Sequence, residues 1–152
     1  MRAVLQRVKH AKVTIDGRVS GEIGTGFLIL LGVAPEDTPE EALYLAKKCV
    51  GLRVFEDEND KMNLALADVG GKILAVSQFT LYADCRKGKR PNFTRAAKGD
   101  QARELYEYFV DCCRGLGVET QTGEFGADMK VELLNDGPVT IMLDTDELIR
   151  KK

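Results

Sequence analysis

The chain has 152 residues, of which 44% are hydrophobic and 30% are charged. This is the composition of an ordinary globular protein, and one domain spanning 1–152 would bury roughly 68–70% of its unfolded surface. The longest apolar run, Phe27–Leu31, is much too short to cross a bilayer, and the N-terminus lacks the apolar core of a secretory signal. We therefore expect a cytoplasmic protein without membrane contact. The net charge of −2 excludes a general polycation.

The residue content also restricts the possible chemistry. The four cysteines contain no C-x-x-C pair, and the adjacent Cys112 and Cys113 lie in a helical pattern, which favours reduced, packed thiols. With His10 as the single histidine, a zinc site or a Ser-His-Asp triad has little basis. We predict an exposed His10 at a strand end, no metal and no cofactor.

The first third of the chain is predicted to be mainly β. Ala3–Val8 and Ala11–Ile15 have strand patterns, and the turn at Asp16-Gly17 predicts a hairpin into Arg18–Ile23. The continuous apolar run Phe27–Val33 indicates a strand that is buried on both faces.

A helix is predicted to begin at Thr38, which can cap it, with Pro39 in the first helical position and Glu41 completing a capping box. The apolar stripe that follows consists of Ala42, Leu45, Ala46 and Cys49. The acidic run Glu56–Asp60 could suggest a calcium loop, but the EF-hand spacing is missing, and we favour a solvated turn.

The second half predicts one more helix among strands. Lys72–Leu81 is predicted to be a strand, Asp100–Leu116 a helix and Val118–Thr122 a strand. We interpret Asn135–Thr140 as a hairpin turn between two strands, because Asn, Asp and Gly tolerate positive φ, although this does not explain Pro138. Mixed β-sheets with two main helices place the chain in the α/β or α+β class.

Polar side chains at the end of one predicted strand suggest a site. Ser77, Gln78 and Thr80 follow buried apolar residues, and ligands usually bind at the carboxyl end of parallel strands. Uncharged hydroxyl and amide groups there could position an ester carbonyl or a water molecule. The structural alternative is a β-bulge or edge with local side-chain hydrogen bonds.

A basic segment, Arg86–Lys98, follows this strand and contains six cations and no acid. One basic face on an otherwise acidic protein favours a local contact with a polyanion over general coating of nucleic acid. A plain solvated loop is the alternative. The cations are Arg86, Lys87, Lys89, Arg90, Arg95 and Lys98.

Two motifs resemble the signature motifs of the D-aminoacyl-tRNA deacylases. They are SQFTL at Ser77–Leu81 and NDGPVT at Asn135–Thr140, and neither is interrupted. Met1–Val8, Arg90–Phe93 and Phe125–Met129 also fall where that family has similar segments. The resemblance covers essentially the whole chain, apart from a variable tail, Ile149–Lys152, to which we assign no role.

This resemblance implies a hydrolase in a three-layer β/β/α fold. The family cleaves the ester that joins a D-amino acid to the terminal ribose of tRNA, and it also removes glycine wrongly attached to alanine tRNA. The implied catalytic residues are Ser77, Gln78, Phe79 and Thr80. The implied tRNA phosphate contacts are Arg86, Lys87, Lys89 and Arg90, with an affinity that falls as salt increases.

The resemblance further implies a homodimer with active sites at the subunit interface. In the family, the Gly-Pro bond is cis and enters the site of the other subunit, so Gly137 and Pro138 would exclude an L side chain there. Phe125 and Met129 would line the pocket for the terminal adenine, unless both are core residues.

Two mechanisms remain open. In one, Thr80 is a nucleophile or positions the attacking water, although no base lies near it in the sequence. In the other, backbone amides around Phe79 and Thr80 hold the carbonyl while the ribose 2′-hydroxyl assists the water. We favour the second, because the motifs contain no acid or base.

Two other classes of function are alternatives. A non-catalytic tRNA-binding module would use the same basic segment, with SQFTL as a structural strand. A general esterase or thioesterase is less favoured, because the sequence lacks a G-x-S-x-G elbow and has only His10 to serve as a base.

Overall fold

The computed structural model describes residues 1–150. Its helices and turns are α1 (Pro39–Gly51), α2 (Leu66–Val69), a 3₁₀ turn (Phe79–Tyr82), α3 (Gly99–Gly115) and a π-helical turn (Asp146–Arg150). Its strands are β1 (Arg2–Ile15), β2 (Arg18–Ile23), β3 (Gly26–Gly32), β4 (Phe55–Glu56), β5 (Met62–Leu64), β6 (Lys72–Ser77), β7 (Thr120–Thr122) and β8 (Lys130–Asp144). Lys151 and Lys152, the end of the predicted tail, lie outside the described residues.

The long strand β1 organises the main sheet. Its strand order is β2-β1-β3-β6-β7, and β8, which lies off this path, also pairs with β1. The pairs β3–β6 and β6–β7 are parallel, while β1 pairs antiparallel with β2, β3 and β8. Ser20 of β2 donates a hydrogen bond to the Thr122 carbonyl of β7 at 3.1 Å, so the sheet curls until its ends nearly meet.

Two hydrophobic cores lie on opposite faces of this sheet. Phe27 and Ile29 of β3 point into the larger core, where α1 and α3 cover the sheet. Leu28, between them, points into the smaller core with Leu74 and Val13. The predicted burial of this strand on both faces is therefore confirmed, as is the α/β class with its β/β/α layers.

Both main helices form as predicted. The Thr38 amide donates to Glu41 Oε1 at 2.7 Å, which completes one half of the capping box. The apolar stripe of α3 includes Leu105, Phe109 and Cys113, all buried against the sheet. No helix among residues 1–150 is long and apolar enough to cross a membrane.

The two strands predicted at the N-terminus are one. Lys9 and His10, which separate the apolar runs, are exposed but remain within β1. The register with β8 shifts between Val8 and His10, so the polar residues are absorbed by a bulge and do not end the strand.

The strand predicted for Lys72–Leu81 ends at Ser77 instead. The Gln78 amide still donates to the Leu31 carbonyl of β3 at 2.8 Å, but the chain then closes the 3₁₀ turn. The Leu81 amide donates to the Gln78 carbonyl at 3.2 Å. The apolar residues Phe79 and Leu81 imitate the alternation of a strand, which explains the error.

The predicted hairpin at Asn135–Thr140 is also wrong. β8 does not reverse there, because both of its halves pair with β1 in the same antiparallel sense. Val8 is opposite Asn135 and Gln6 is opposite Thr140, so two steps along β1 correspond to five along β8. The extra residues leave the ladder as a wide bulge that contains Gly137 and Pro138.

Arg7 holds this bulge against the body of the protein. Its side chain is 4% exposed, and its Nε donates to the Asp136 carbonyl at 2.9 Å. Its Nη1 donates to the Val54 carbonyl at 2.7 Å, and its Nη2 lies 3.3 Å from Glu56 Oε1. One buried guanidinium thus joins β1, the segment before β4, and the bulge of β8.

Arg7→Ala should lower the free energy of unfolding by about 3 kcal/mol, because hydrogen bonds from a charged donor contribute about 1.5–3 kcal/mol each. Urea denaturation measures this. Arg18→Ala, on an exposed position of β2, is the matched control and should change stability little. A loss below about 1 kcal/mol for Arg7→Ala would contradict the role of these bonds.

Candidate active site

A cavity of about 500 Å³ lies at the carboxyl ends of the parallel strands β3 and β6. Ser77, Gln78 and Phe79 form one side of it, and Phe125 and Met129 form another. Two segments that are nearly fifty residues apart in sequence therefore meet at one site. The segment before α3 and its first turn form a further wall, and Leu31, Val33 and Val131 also line the cavity.

The turn after β6 gives this site its polar backbone. Phe79 and Thr80 begin the 3₁₀ turn, and the first amides of a helical turn have no acceptor within that turn. Gln78 Nε2 donates to the hydroxyl of Thr80. The Thr80 side chain is exposed and, unlike its three predecessors, does not line the cavity.

Gly32 allows the turn to pack closely on β3. A Cβ atom at this position would lie 3.1 Å from Leu81 Cβ, 3.2 Å from the Gln78 carbonyl oxygen and 3.3 Å from Tyr82 Cδ2. Tyr82, the last residue of the turn, is buried, and this burial raises the pKa of its phenol far above the usual value. The 3₁₀ turn is therefore closely packed against β3 at Gly32.

Aromatic rings form much of the cavity wall. Phe79 is 54% exposed, and its ring meets that of Phe93 edge-on, with centroids 5.1 Å apart. Phe125 is half-buried between the cavity and the core, 6.1 Å from the ring of Tyr106. The Arg103 guanidinium lies over the Phe125 ring at 5.3 Å. Phe125 therefore contacts the core and lines the cavity at once.

Few charges face the cavity. Of the described residues that line it, only Lys98 and Asp128 are ionisable. Asp128 is strongly exposed and pairs with Lys130 at 3.0 Å, and His10 lies elsewhere, exposed on β1. The site thus offers amides, a hydroxyl and an amide side chain, but no buried acid or base.

Gly137 and Pro138 lie apart from the cavity of their own chain. Both are exposed on the bulge of β8, and the peptide bond between them is cis. Gly137 has φ of +137°, and a Cβ there would lie 2.8 Å from Val139 Cγ2. Asn135 Oδ1 accepts a hydrogen bond from the Val139 amide at 2.9 Å, which closes the bulge.

Two backbone hydrogen bonds, of 2.7 and 2.9 Å, join Asp84 to Asn92 and close the loop that contains the first four cations of the basic segment. Arg86 makes a bidentate ion pair with Asp84, with both bonds at 2.8 Å. In the part of the chain that the structure describes, Lys87, Lys89 and Arg90 form no ion pair. Of the four predicted phosphate contacts, Arg86 therefore differs from the other three, because its charge is already paired.

Sequence reasoning missed two residues, Arg7 and Asp84. Arg7 follows Ala3 and Leu5 at alternate positions of β1, so the strand period places it on their face of the sheet. That period could have revealed a buried arginine. Asp84 lies two residues before Arg86, and no periodicity or motif in the sequence indicates that the two side chains form an ion pair.

Fold and cavity define an α/β protein with a largely uncharged site at the carboxyl end of parallel strands. A family model described as D-Tyr-tRNA(Tyr) deacylase matches residues 4–144. The chain is 61% identical over 145 residues to a D-aminoacyl-tRNA deacylase of Koribacter versatilis (strain Ellin345), covering 95% of this chain and 97% of that protein. It is 60% identical over 147 residues to a D-aminoacyl-tRNA deacylase of Thermus aquaticus, covering 97% of each. The chain belongs to the D-Tyr-tRNA(Tyr) deacylase family.

Solved structures show the same fold. That of a c-Myc DNA unwinding element binding protein has a TM-score of 0.89 and 42% identity, covering 95% of this chain and 98% of that one. That of a probable eukaryotic D-amino acid tRNA deacylase has a TM-score of 0.79, covering 94% and 98%. At 18% identity, the second supports the fold alone.

Gly32→Ala should displace the 3₁₀ turn, because the new Cβ would press on Leu81, Tyr82 and the backbone of Gln78. We expect a loss of about 1–3 kcal/mol in unfolding free energy, the usual cost of overpacking. Urea denaturation measures it. Gly115→Ala, with open space at the end of α3, is the control. An equal stability for the two variants would contradict the close packing.

Proposed function

We propose that the protein hydrolyses the ester bond of D-aminoacyl-tRNA, and of glycine mischarged on alanine tRNA. The observation that carries this is the cavity that brings Ser77, Gln78 and Phe79 together with Phe125 and Met129. The names of its relatives point to the first of these substrates, D-aminoacyl-tRNA. A cytoplasmic location, where tRNA is charged, is part of the proposal.

The reaction consumes one water molecule. The water oxygen bonds to the ester carbonyl carbon, and the bond from that carbon to the ribose oxygen breaks. The ribose oxygen takes up a proton, so the products are free tRNA and the D-amino acid. Because an aminoacyl ester is already activated, orientation and stabilisation of the oxyanion can provide most of the acceleration.

In this proposal, the amides of Phe79 and Thr80 hold the carbonyl oxygen. Phe79 lines the cavity and Thr80 follows it in the 3₁₀ turn, where the first amides lack partners within the turn. The ribose 2′-hydroxyl assists the attacking water, since no buried acid or base lines the site. Ser77 and Gln78 orient the substrate, and Phe125 and Met129 contact the terminal adenine.

The amino acid would be selected by exclusion. L and D aminoacyl groups differ only in the direction of the side chain. If the site fixes the amino group and the carbonyl, the L side chain can point in one direction only, and blocking that direction excludes it. The Gly137-Pro138 motif of the partner subunit would close that direction with backbone atoms. Glycine has no side chain to exclude, so a glycyl ester would pass the same screen.

This screen would require a homodimer with its active sites at the subunit interface. Three features of one chain support it: the motif is exposed, it lies outside its own cavity, and Arg7 and Asn135 fix its position. A rigid, exposed backbone segment is suited to acting on a neighbouring molecule.

Matched D- and L-aminoacyl-tRNA, carrying the same amino acid, test the screen. We expect the D form to be hydrolysed at least ~100-fold faster in kcat/KM, which is about 2.7 kcal/mol of differential transition-state binding. A simple carboxylic ester is the control and should be a poor substrate. Equal hydrolysis of both enantiomers would contradict exclusion by Gly137 and Pro138. Binding of tRNA without hydrolysis would favour a non-catalytic module.

Thr80→Ala separates the two mechanisms. The backbone amide remains in this variant, so we expect a loss of less than about 10-fold in kcat, far below the roughly 10⁶-fold loss when a catalytic serine is removed. Single-turnover hydrolysis of D-aminoacyl-tRNA measures it. Thr25→Ala, in an exposed turn before β3, is the control. A loss comparable to that of a serine protease would instead make Thr80 the nucleophile.

A further inference from the structure

A second cavity, of about 340 Å³, lies within the basic segment. Lys87 and Arg90 provide its positive charge, and Asn92 and Thr94 provide polar groups. The Asn92 side chain accepts hydrogen bonds from the Thr94 amide at 2.8 Å and hydroxyl at 2.7 Å, which fixes this wall. The remaining lining residues are Asp84 and Arg86.

Asp84 neutralises one cation of this cavity. Its two carboxylate oxygens receive Nε and Nη2 of Arg86, and Oδ1 also accepts from the Arg86 amide at 3.1 Å. These hydrogen bonds lower the pKa of Asp84 to about 2, so the pair stays ionised at neutral pH. Arg86 is thereby held by its neighbour, whereas Lys87 and Arg90 remain available to an anion.

The two cavities share a wall that is one residue thick. Asn92 and Thr94 line the basic cavity, while Phe93, between them, lines the candidate active site and contacts Phe79. Neighbouring Cα atoms are about 3.8 Å apart, so the second cavity is within reach of an RNA strand whose last nucleotide occupies the first.

We propose that the basic cavity binds a backbone phosphate of the single-stranded 3′ end of tRNA, through Lys87 and Arg90, while the ion pair with Asp84 neutralises the charge of Arg86. This inference rests on the proposed function and specifies which part of the substrate the basic segment contacts. The contact reads no base, so it serves every tRNA with the same unpaired end.

Binding of uncharged RNA tests the proposal without any hydrolysis. The probes are a fluorescent RNA hairpin with an unpaired CCA end and the same hairpin with a blunt end, titrated over a range of salt concentrations. With the CCA probe, Lys87→Ala and Arg90→Ala should each reduce the slope of log K against log salt by about 0.7. Lys61→Ala, in the loop between β4 and β5, is the control and should keep the slope.

Asp84→Asn gives the sharpest result, because it preserves the shape and a side-chain oxygen that can accept from the Arg86 amide, but it removes the charge that pairs with the Arg86 guanidinium. We expect tighter binding of the CCA probe and a slope that is larger by about 0.7. The double variant Asp84→Asn, Arg86→Ala should return the slope to that of the unaltered protein.

Equal losses on the CCA and blunt probes would overturn the proposal, since they would place Lys87 and Arg90 on the duplex. Weaker binding by Asp84→Asn would also overturn it, provided that its unfolding curve matches that of the unaltered protein. Because these measurements need no deacylation, they remain informative if the D-aminoacyl ester is not hydrolysed. Failure of hydrolysis alone would overturn the proposed function instead.

Discussion

The buried guanidinium of Arg7 joins β1 to the bulge of β8 that carries Gly137 and Pro138. A charged group that is 4% exposed is costly to bury unless its hydrogen bonds are satisfied, and here the Val54 and Asp136 carbonyls satisfy them. The same hydrogen bonds hold the wide bulge of β8 against the body of the protein. The position of Gly137 and Pro138 is therefore set by Arg7 of β1 together with the Asn135 side chain.

This arrangement divides the work between two sites on one chain. β6 ends in a 3₁₀ turn beside a cavity, and the exposed bulge of β8 lies outside that cavity. Among residues 1–150, neither part contains a histidine or a buried carboxylate, which suits an activated ester. If selectivity comes from backbone exclusion, one site can accept many D side chains, because it does not need to attract any of them.

Much of the fold could be predicted because local signals agreed with tertiary packing. The cap at Thr38 and the apolar run at Phe27–Leu31 each indicated one structure, and the structure contains it. The hairpin failed because Asn135–Thr140 has good turn chemistry, yet pairing of both flanks with β1 overrides it. The residues of the cavity were suggested by motif resemblance, whereas the clamp of Asp84 on Arg86 depends on side-chain geometry that no sequence pattern contains.

The most direct test of the central claim is a crystal structure with a non-hydrolysable D-aminoacyl-adenosine analogue. The measured quantity is the distance from the analogue to the Gly137 and Pro138 carbonyl oxygens of each subunit. We predict hydrogen-bond distance, about 2.7–3.2 Å, between the ammonium group of the analogue and these oxygens from the partner subunit. The amides of Phe79 and Thr80 in the other subunit should face the analogue's carbonyl. An analogue that is bound in the cavity with no atom of a partner nearby would contradict the account.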